Sequence, residues 1–178
     1  FPNGGTITIR QLLNHTSGIR SYTDIPNYFA GPIREDRDTA GMIGVFRDLP
    51  VDFAPGEGWH YNNSGYVLVG AVIEAVTGMP WHAYLEEALF EPLGMDDTGY
   101  GADPAVASAQ VSSYTFADGG WVPSITVSMT QPHAAGALVS SVGDLLTWNR
   151  ALHEGKVLED GTYRMMITPA GKAADVGY

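Results

Sequence analysis

The sequence predicts an α+β domain that is mostly helical and contains a few strands. Several stretches place apolar residues at helical spacing between recognisable cap and stop residues. Residues 111–121, in contrast, combine strand-forming side chains with a hairpin turn. The chain has 178 residues, which is enough for one domain with a hydrophobic core. No window approaches the roughly 18 consecutive apolar residues that a membrane-spanning helix needs.

Two helices are predicted in the first 50 residues. Thr8 caps a short helix that ends near Asn14, and Asp38 caps a second helix over residues 39–48. The segment between them, residues 21–37, contains two prolines and a glycine but few periodic apolar residues. That composition predicts a long loop.

The most apolar predicted helix covers residues 64–77. Asn63 or Ser64 can cap it, and Gly78 is a typical terminator because glycine readily adopts the left-handed conformation. Apolar residues lie on nearly every face of this helix, so we expect it to be buried. A further helix follows over residues 80–90.

The second half of the chain predicts one hairpin and two helices. The hairpin turns at Asp118-Gly119. The segment from Ser141 to Asp144 is typical of a capping box that opens a helix ending near His153. The last predicted helix covers residues 160–167.

Composition excludes several classes of function. The chain carries 20 acidic and 9 basic residues, a formal net charge of −11. It lacks the clustered lysines and arginines of a nucleic-acid-binding surface, so we expect no nucleic-acid partner. It contains no cysteine, which rules out disulfides, thiolate metal sites and cysteine nucleophiles. The histidines show no metal-ligand spacing, so we predict neither a metal site nor a cofactor.

Tyr61-Asn62-Asn63 is the most informative segment, because it lies between a Pro/Gly-rich loop and the start of an apolar helix. A Tyr hydroxyl can relay a proton if nearby cations lower its pKa from about 10. The Asn63 amide offers two donors and an acceptor, which suits it to hold a substrate amide. His60 adjoins Tyr61, and we expect it to line the mouth of the pocket that would hold the substrate. On spacing alone, the alternative is a tyrosine packed at a helix entry beside an asparagine cap.

His15 and Ser17 form a second arrangement that resembles a base and a nucleophile. A nucleophile elbow, however, needs Gly-x-Ser-x-Gly between a strand and a helix. Here His15 and Ile19 take the two glycine positions, and a helix precedes them. We therefore predict that this segment is a structural turn.

Five short motifs stand in order along the chain. They are Leu12-Leu13-Asn14-His15-Thr16-Ser17-Gly18, Tyr61-Asn62-Asn63-Ser64-Gly65-Tyr66 after Pro55-Gly56, Gly70-Ala71-Val72-Ile73-Glu74, Pro92-Leu93-Gly94-Met95 with Thr98, and Ala134 to Ser141 followed by Asp144-Leu145. Over roughly residues 6–155 they resemble the penicillin-recognising serine hydrolases, the serine β-lactamase-like superfamily. The resemblance is to the branch that contains class C β-lactamases, DD-peptidases, family VIII esterases and D-amino-acid amidases.

This resemblance implies a β-lactamase/transpeptidase-like fold and acyl-enzyme chemistry on an amide, ester or lactam carbonyl. In the family a serine attacks the carbonyl, a lysine three residues further on helps to deprotonate it, and the tyrosine of Tyr-x-Asn shuttles protons. The resemblance therefore gives Tyr61 a catalytic role and Asn63 a role in substrate binding. His60 is expected to contact the substrate because it adjoins Tyr61. The resemblance implies no metal or cofactor, and it implies that the protein binds a small-molecule or peptide-like substrate.

Two motifs of the family have no counterpart in this sequence. No serine is followed by a lysine three positions later, because Lys156 and Lys172 follow His153 and Pro169 at that spacing. No Lys-Thr-Gly motif is present, and no His-x-Gly lies on a predicted edge strand. We therefore expect residues 1–178 to be the central, mainly helical part of a β-lactamase-like domain. The parts with Ser-x-x-Lys and the C-terminal sheet would be absent, and this chain alone would be inactive.

A second hypothesis is a non-catalytic module or pseudoenzyme that binds peptide-like ligands in the same pocket. A Ser-x-x-Lys motif encoded upstream would favour the enzyme over the binding module. The sequence leaves the oligomeric state and cellular location open, although export is common in the family and a periplasmic or secreted location is compatible with it. The last residues, 175–178, are typical of the start of a strand.

Overall fold

The computed structural model describes residues 4–178 and shows a helix-rich α+β architecture, as predicted. The helices are α1 (Ile9–Leu13), α2 (Thr39–Phe46), α3 (Asn63–Thr77), α4 (Trp81–Leu85), α5 (Glu91–Leu93), α6 (Pro104–Ala109), α7 (Val142–His153) and α8 (Asp160–Ile167). The strands are β1 (Gly99–Tyr100), β2 (Tyr114–Ala117), β3 (Gly120–Pro123) and β4 (Leu138–Val139).

The first two helices begin where the sequence predicts. The Thr8 hydroxyl accepts the Gln11 N–H, and the Gln11 side chain accepts the Thr8 N–H in return, which closes a capping box on α1. Asp38 caps α2 by accepting the Gly41 N–H at 2.7 Å. The predicted loop between these helices contains three single-turn 3₁₀ helices, Tyr22–Asp24, Tyr28–Ala30 and Pro32–Arg34.

The central helix α3 has a different cap from the one predicted. Its N-cap is Asn62, whose Oδ1 accepts the Gly65 N–H at 2.7 Å, whereas Asn63 and Ser64 lie inside the first turn. Gly78 ends α3 in the left-handed conformation, with φ 72°, as predicted.

The hydrophobic core forms around the first half of α3. Val67 is fully buried there, and it belongs to a cluster with Leu12, Ile19, Tyr22, Tyr28, Ile33, Met42 and Phe46. Near the end of α3, however, Val76 is 81% exposed. The expectation that this helix is buried is therefore wrong for its last turn, where Ala75 and Val76 are exposed.

The predicted helix over residues 80–90 is present but irregular. α4 passes without a break into a π-helical turn over Glu86–Phe90, and α5 follows directly. Gly94 ends this segment in the left-handed conformation with φ 67°.

The predicted hairpin is confirmed, and a second small sheet accompanies it. β2 and β3 pair antiparallel with Phe116 opposite Trp121, and the turn residues Asp118 and Gly119 both have positive φ. β1 and β4 also pair antiparallel. The sequence did not predict this second pair or α6, because two-residue strands and one-and-a-half-turn helices carry too little periodicity.

Ser141 caps α7 as predicted, but the capping box does not close. Ser141 Oγ accepts the Asp144 N–H at 3.2 Å. The Asp144 carboxylate instead accepts the Asp97 N–H at 2.9 Å and the Thr98 hydroxyl at 2.7 Å. Asp144 therefore joins α7 to the segment that follows α5.

α8 has the predicted bounds. The segment Gly171–Val176 is a 3₁₀ helix, so the strand expected over residues 175–178 does not begin there. No helix within residues 4–178 is long and apolar enough to cross a bilayer.

Candidate active site

Two chain segments meet in front of the N-terminus of α3. Residues 15–18 follow α1, and residues 52–60 lead toward α3. Three backbone hydrogen bonds join them: the N–H groups of Asp52, Gly56 and His60 donate to the carbonyls of Gly18, Thr16 and His15 at 2.8, 2.8 and 3.1 Å. The pairing fixes where the chain enters α3, and so where Tyr61 lies.

Gly18 permits this close pairing. Its φ is +74°, and a Cβ at this position would lie 1.9 Å from the Phe53 carbonyl oxygen. Any other residue would therefore both strain the backbone and push the two segments apart. The glycine at the end of the His15-Thr16-Ser17-Gly18 motif thus has a packing explanation.

Ser17 is fully buried in this turn. Its Oγ accepts the Ile19 N–H at 3.4 Å, which is the geometry of a local side-chain turn. This arrangement agrees with the predicted structural turn and places the Ser17 hydroxyl away from solvent.

Asn62 connects the two segments through its side chain as well. It is buried, its Oδ1 caps α3, and its Nδ2 donates to the Ile19 carbonyl. The caps predicted from the sequence, Asn63 or Ser64, lie one or two residues after the observed cap Asn62.

Tyr61 lies one residue before this cap, and its side chain is 52% exposed. Its ring centroid is 4.6 Å from that of the buried His15 imidazole, at an interplanar angle of 43°. The Tyr61 hydroxyl has no hydrogen-bond partner among residues 4–178. It is therefore free to bond to a reacting group.

Two other tyrosines surround the same imidazole. The Tyr66 hydroxyl donates to the Leu13 carbonyl at 2.9 Å, and burial raises the pKa of Tyr66 because the phenolate would lose its hydration. The Tyr178 hydroxyl bonds to His15 Nε2 at 3.0 Å. Of the three hydroxyls, that of Tyr61 is the one left without a partner in the described part of the chain.

Asn63 begins α3 and faces the 3₁₀ helix Tyr22–Asp24. Its backbone N–H donates to Ser21 Oγ at 3.2 Å, and its Nδ2 donates to Thr23 Oγ1 at 3.1 Å. No described residue bonds to its side-chain carbonyl, so that oxygen can accept an N–H from a ligand.

His60 is half-exposed and stands between two carboxylates. Its Nε2 lies 3.6 Å from Asp24 Oδ2, and its Nδ1 lies 3.5 Å from Asp52 Oδ2. Arg20 also pairs with Asp52, at 3.0 Å. These exposed pairs contribute little to stability, about 0–1 kcal/mol each, but they give one side of the site a polar, charged character.

Residues 4–178 contain no group of three or more His, Asp or Glu side chains that could hold a metal ion. The described part of the site presents a phenol, an amide and a histidine beside carboxylates.

Comparison with known proteins identifies the family. A model of the family described as Beta-lactamase matches residues 1–176. The chain belongs to the β-lactamase family. The resemblance that the five ordered motifs carry is therefore confirmed.

Three proteins similar to this chain are longer than it is. PbpX of Bacillus subtilis, a penicillin-binding-protein candidate, is 30% identical over 97% of this chain and 42% of its own length. A D-stereospecific amidohydrolase from Streptomyces is 31% identical with a TM-score of 0.80, over 92% of this chain and 52% of that chain. The D-amino acid amidase of Ochrobactrum anthropi SV3, in complex with D-phenylalanine, is 28% identical with a TM-score of 0.76, over 92% and 49%. The chain thus spans about half the length of the relatives it matches.

These structural similarities confirm the β-lactamase/transpeptidase-like fold. Within that fold, the structure brings the three predicted site residues Tyr61, Asn63 and His60 to the N-terminal end of α3. It adds Asn62 and His15, which sequence reasoning did not assign to the site. Both residues stand in motifs of the β-lactamase family, His15 in the first and Asn62 in the second. The contact between these two motifs is visible only in the structure.

Proposed function

We propose that the protein carrying this chain is a serine hydrolase that forms an acyl-enzyme on an amide, ester or lactam carbonyl. The proposal rests on Tyr61, a half-exposed residue whose hydroxyl lacks a hydrogen-bond partner among the described residues. The backbone N–H groups of its neighbours His60 and Asn62 are both hydrogen-bonded. Membership of the β-lactamase family supports it.

We propose further that the nucleophilic serine lies outside residues 1–178. No Ser-x-x-Lys motif is present in the sequence, and the chain spans about half the length of its relatives. Exposed apolar side chains on α7 and α8 support a longer domain, since large apolar surfaces on a folded protein usually meet a partner or more of the chain. They are Leu145, Leu146, Met165, Met166 and Ile167.

In this reaction Tyr61 acts as a proton relay. The serine oxygen bonds to the carbonyl carbon while its proton moves to Tyr61, with the lysine of the Ser-x-x-Lys motif as the cation that favours the phenolate. Tyr61 then returns a proton to the leaving amine or alkoxide as the bond between carbon and leaving group breaks. Water hydrolyses the resulting ester in a second step of the same kind.

Asn63 and His60 bind the substrate in this proposal. The free Asn63 side-chain carbonyl accepts an N–H from the substrate amide, because its Nδ2 is already held by Thr23. His60, beside Asp24 and Asp52, contacts the polar end of the substrate at the rim of the site. The amidase relatives make a small amino-acid amide the first substrate to test.

The test compares the intact protein with its Tyr61→Phe variant on a D-amino-acid anilide, a chromogenic lactam and a short-chain ester. Loss of the hydroxyl should lower kcat about 100-fold or more on the substrate that is turned over. Tyr84→Phe removes a hydroxyl from an exposed tyrosine of α4 and should leave kcat unchanged. Equal turnover by wild type and Tyr61→Phe would exclude Tyr61 from the mechanism.

A further inference from the structure

His15 is a fully buried histidine that the proposed reaction does not use. It adopts a positive φ of 63°, which is uncommon for a residue other than glycine and is found where surrounding structure holds it. The contacts that His15 makes beside the candidate site hold it in this conformation.

Those contacts fall on both sides of Tyr61. The His15 carbonyl accepts the His60 N–H at 3.1 Å, and the His15 Nδ1 accepts the Asn62 N–H at 3.0 Å. The imidazole ring also packs against the Tyr61 ring, with centroids 4.6 Å apart. One residue therefore holds the backbone before Tyr61, the backbone after it and the face of its side chain.

The hydrogen bond from the Asn62 N–H defines the tautomer of the His15 imidazole. A backbone N–H can only donate, so Nδ1 must be unprotonated, and the proton of the neutral ring lies on Nε2. Nε2 then donates to the Tyr178 hydroxyl at 3.0 Å. Burial lowers the pKa of His15, because a charged ring would lose its hydration, and this favours the neutral form that the Asn62 bond requires.

We propose that His15 is a positioning residue that fixes the Tyr61 hydroxyl at the place where it exchanges a proton. This inference rests on the proposed function of Tyr61. In this role His15 does not touch the substrate. Its carbonyl holds the His60 N–H, and its imidazole holds the Asn62 N–H and packs against the Tyr61 ring. Because a misplacement of about 1 Å in a catalytic group can cost about 100-fold in rate, loss of the Nδ1 acceptor should lower kcat rather than raise KM.

Two substitutions in the intact protein separate positioning from simple packing. His15→Asn places an Oδ1 acceptor where Nδ1 was, and asparagine tolerates positive φ. His15→Leu fills a comparable volume with an apolar side chain that has no acceptor. We expect His15→Asn to keep kcat within about 3-fold of wild type, and His15→Leu to lower kcat about 10- to 100-fold with KM changed less than about 3-fold.

A matched control uses another histidine that bonds to a tyrosine. His153 Nδ1 bonds to the Tyr163 hydroxyl at 2.6 Å on the exposed end of α7, so His153→Leu should leave kcat and KM unchanged. If His15→Asn were as slow as His15→Leu, or if His15→Leu matched wild type, the positioning role would be wrong.

Two spectroscopic measurements test the geometry without relying on turnover. In wild type, imidazole ¹⁵N shifts should show His15 with an unprotonated Nδ1 and a protonated Nε2; the opposite tautomer would overturn the inference even if no variant folds. With 3-fluorotyrosine at position 61, wild type and His15→Asn should each give one narrow ¹⁹F resonance, whereas His15→Leu should give a broadened one. If wild type has the expected tautomer and ¹⁹F signal but hydrolyses no substrate, the proposed function fails while the placement of Tyr61 by His15 stands.

Discussion

At the scale of single residues, Asn62 connects the fold to the candidate site. Its buried amide uses both ends, since Oδ1 caps α3 and Nδ2 bonds to the Ile19 carbonyl. A helix cap of this kind contributes about 1 kcal/mol. Removing the amide would also leave the Ile19 carbonyl without a partner in a buried place, which costs more.

We therefore expect Asn62→Ala to lower the free energy of unfolding by about 1–3 kcal/mol, measured by urea denaturation of the intact protein. Asn149→Ala is the matched control, because Asn149 is exposed within α7, where alanine is the better helix former. Equal stability of Asn62→Ala and wild type would show that the cap contributes nothing.

The same residues show what sequence alone can predict at this scale. Thr8, Asp38 and Ser141 are predictable as caps because each lies directly before a periodic apolar segment. Before α3, three consecutive residues, Asn62 to Ser64, are all of cap-forming types. Which of them caps the helix depends on contacts with residues more than 40 positions away. The role of His15 was unpredictable for the same reason, since its Nδ1 bonds to an amide 47 residues away.

At the scale of elements, α3 packs closely against the 3₁₀ helix His133–Ala135. A Cβ added at Gly70 would lie 2.7 Å from the Ala134 Cβ and 2.8 Å from the His133 Cε1. Both atoms belong to buried or partly buried groups, so this interface has no room for a methyl group.

Gly70→Ala should therefore destabilise the protein by about 1–3 kcal/mol through overpacking, despite the better helix propensity of alanine. Gly44→Ala in α2 is the matched control, because a Cβ there meets nothing within 4 Å. That change should be neutral or stabilise by up to about 1 kcal/mol. Thermal unfolding of both variants measures the difference, and a Gly70→Ala variant as stable as Gly44→Ala would contradict this account of the interface.

His133 makes the same interface sensitive to acid. It is buried, and its Nε2 shares a hydrogen bond of 3.0 Å with the Thr39 hydroxyl. Burial lowers the pKa of His133, an effect that Glu74 opposes and His82 reinforces. The folded state therefore binds a proton less readily than the unfolded state. The contribution of neutral His133 to the free energy of unfolding is complete above the ordinary histidine pKa of about 6.5, and it decreases as the pH falls below that value.

We expect the free energy of unfolding to fall between pH 7.5 and pH 5.5, with His133 contributing at most about 1.4 kcal/mol per pH unit. Urea denaturation at a series of pH values measures this slope. His133→Gln should show a flatter pH dependence than wild type, since it cannot titrate. Parallel curves for the two proteins would rule out His133 as a source of the acid sensitivity.

The elements themselves were predictable to different degrees. The start of α2, the bounds of α7 and α8 and the hairpin turn followed from caps, periodicity and positive-φ residues, all of which are local. The predicted end of α2, residue 48, lies two residues beyond the observed one. The pairing of β1 with β4 was not predictable, because it joins two residues with two others nearly 40 positions away. The exposed end of α3 was also missed, because burial depends on neighbours rather than on the helix alone.

At the scale of the whole molecule, the order of the motifs carried more information than any one motif. Their order predicted the family, which comparison with known proteins confirmed over residues 1–176. It also placed Tyr61 and His15 in motifs that the fold brings into contact. The proposed nucleophile could not be found in this way, because no serine of the chain has the lysine partner that the family uses.

We propose that Tyr61 serves a nucleophilic serine outside these 178 residues. Covalent labelling of the intact protein with a fluorophosphonate or a fluorescent penicillin, followed by peptide mapping, tests it directly. We predict a single adduct on a serine outside residues 1–178, formed about 100-fold more slowly in Tyr61→Phe. An adduct on Ser17 or on another serine of this chain would contradict the claim, and the absence of any adduct would favour a non-catalytic binding module.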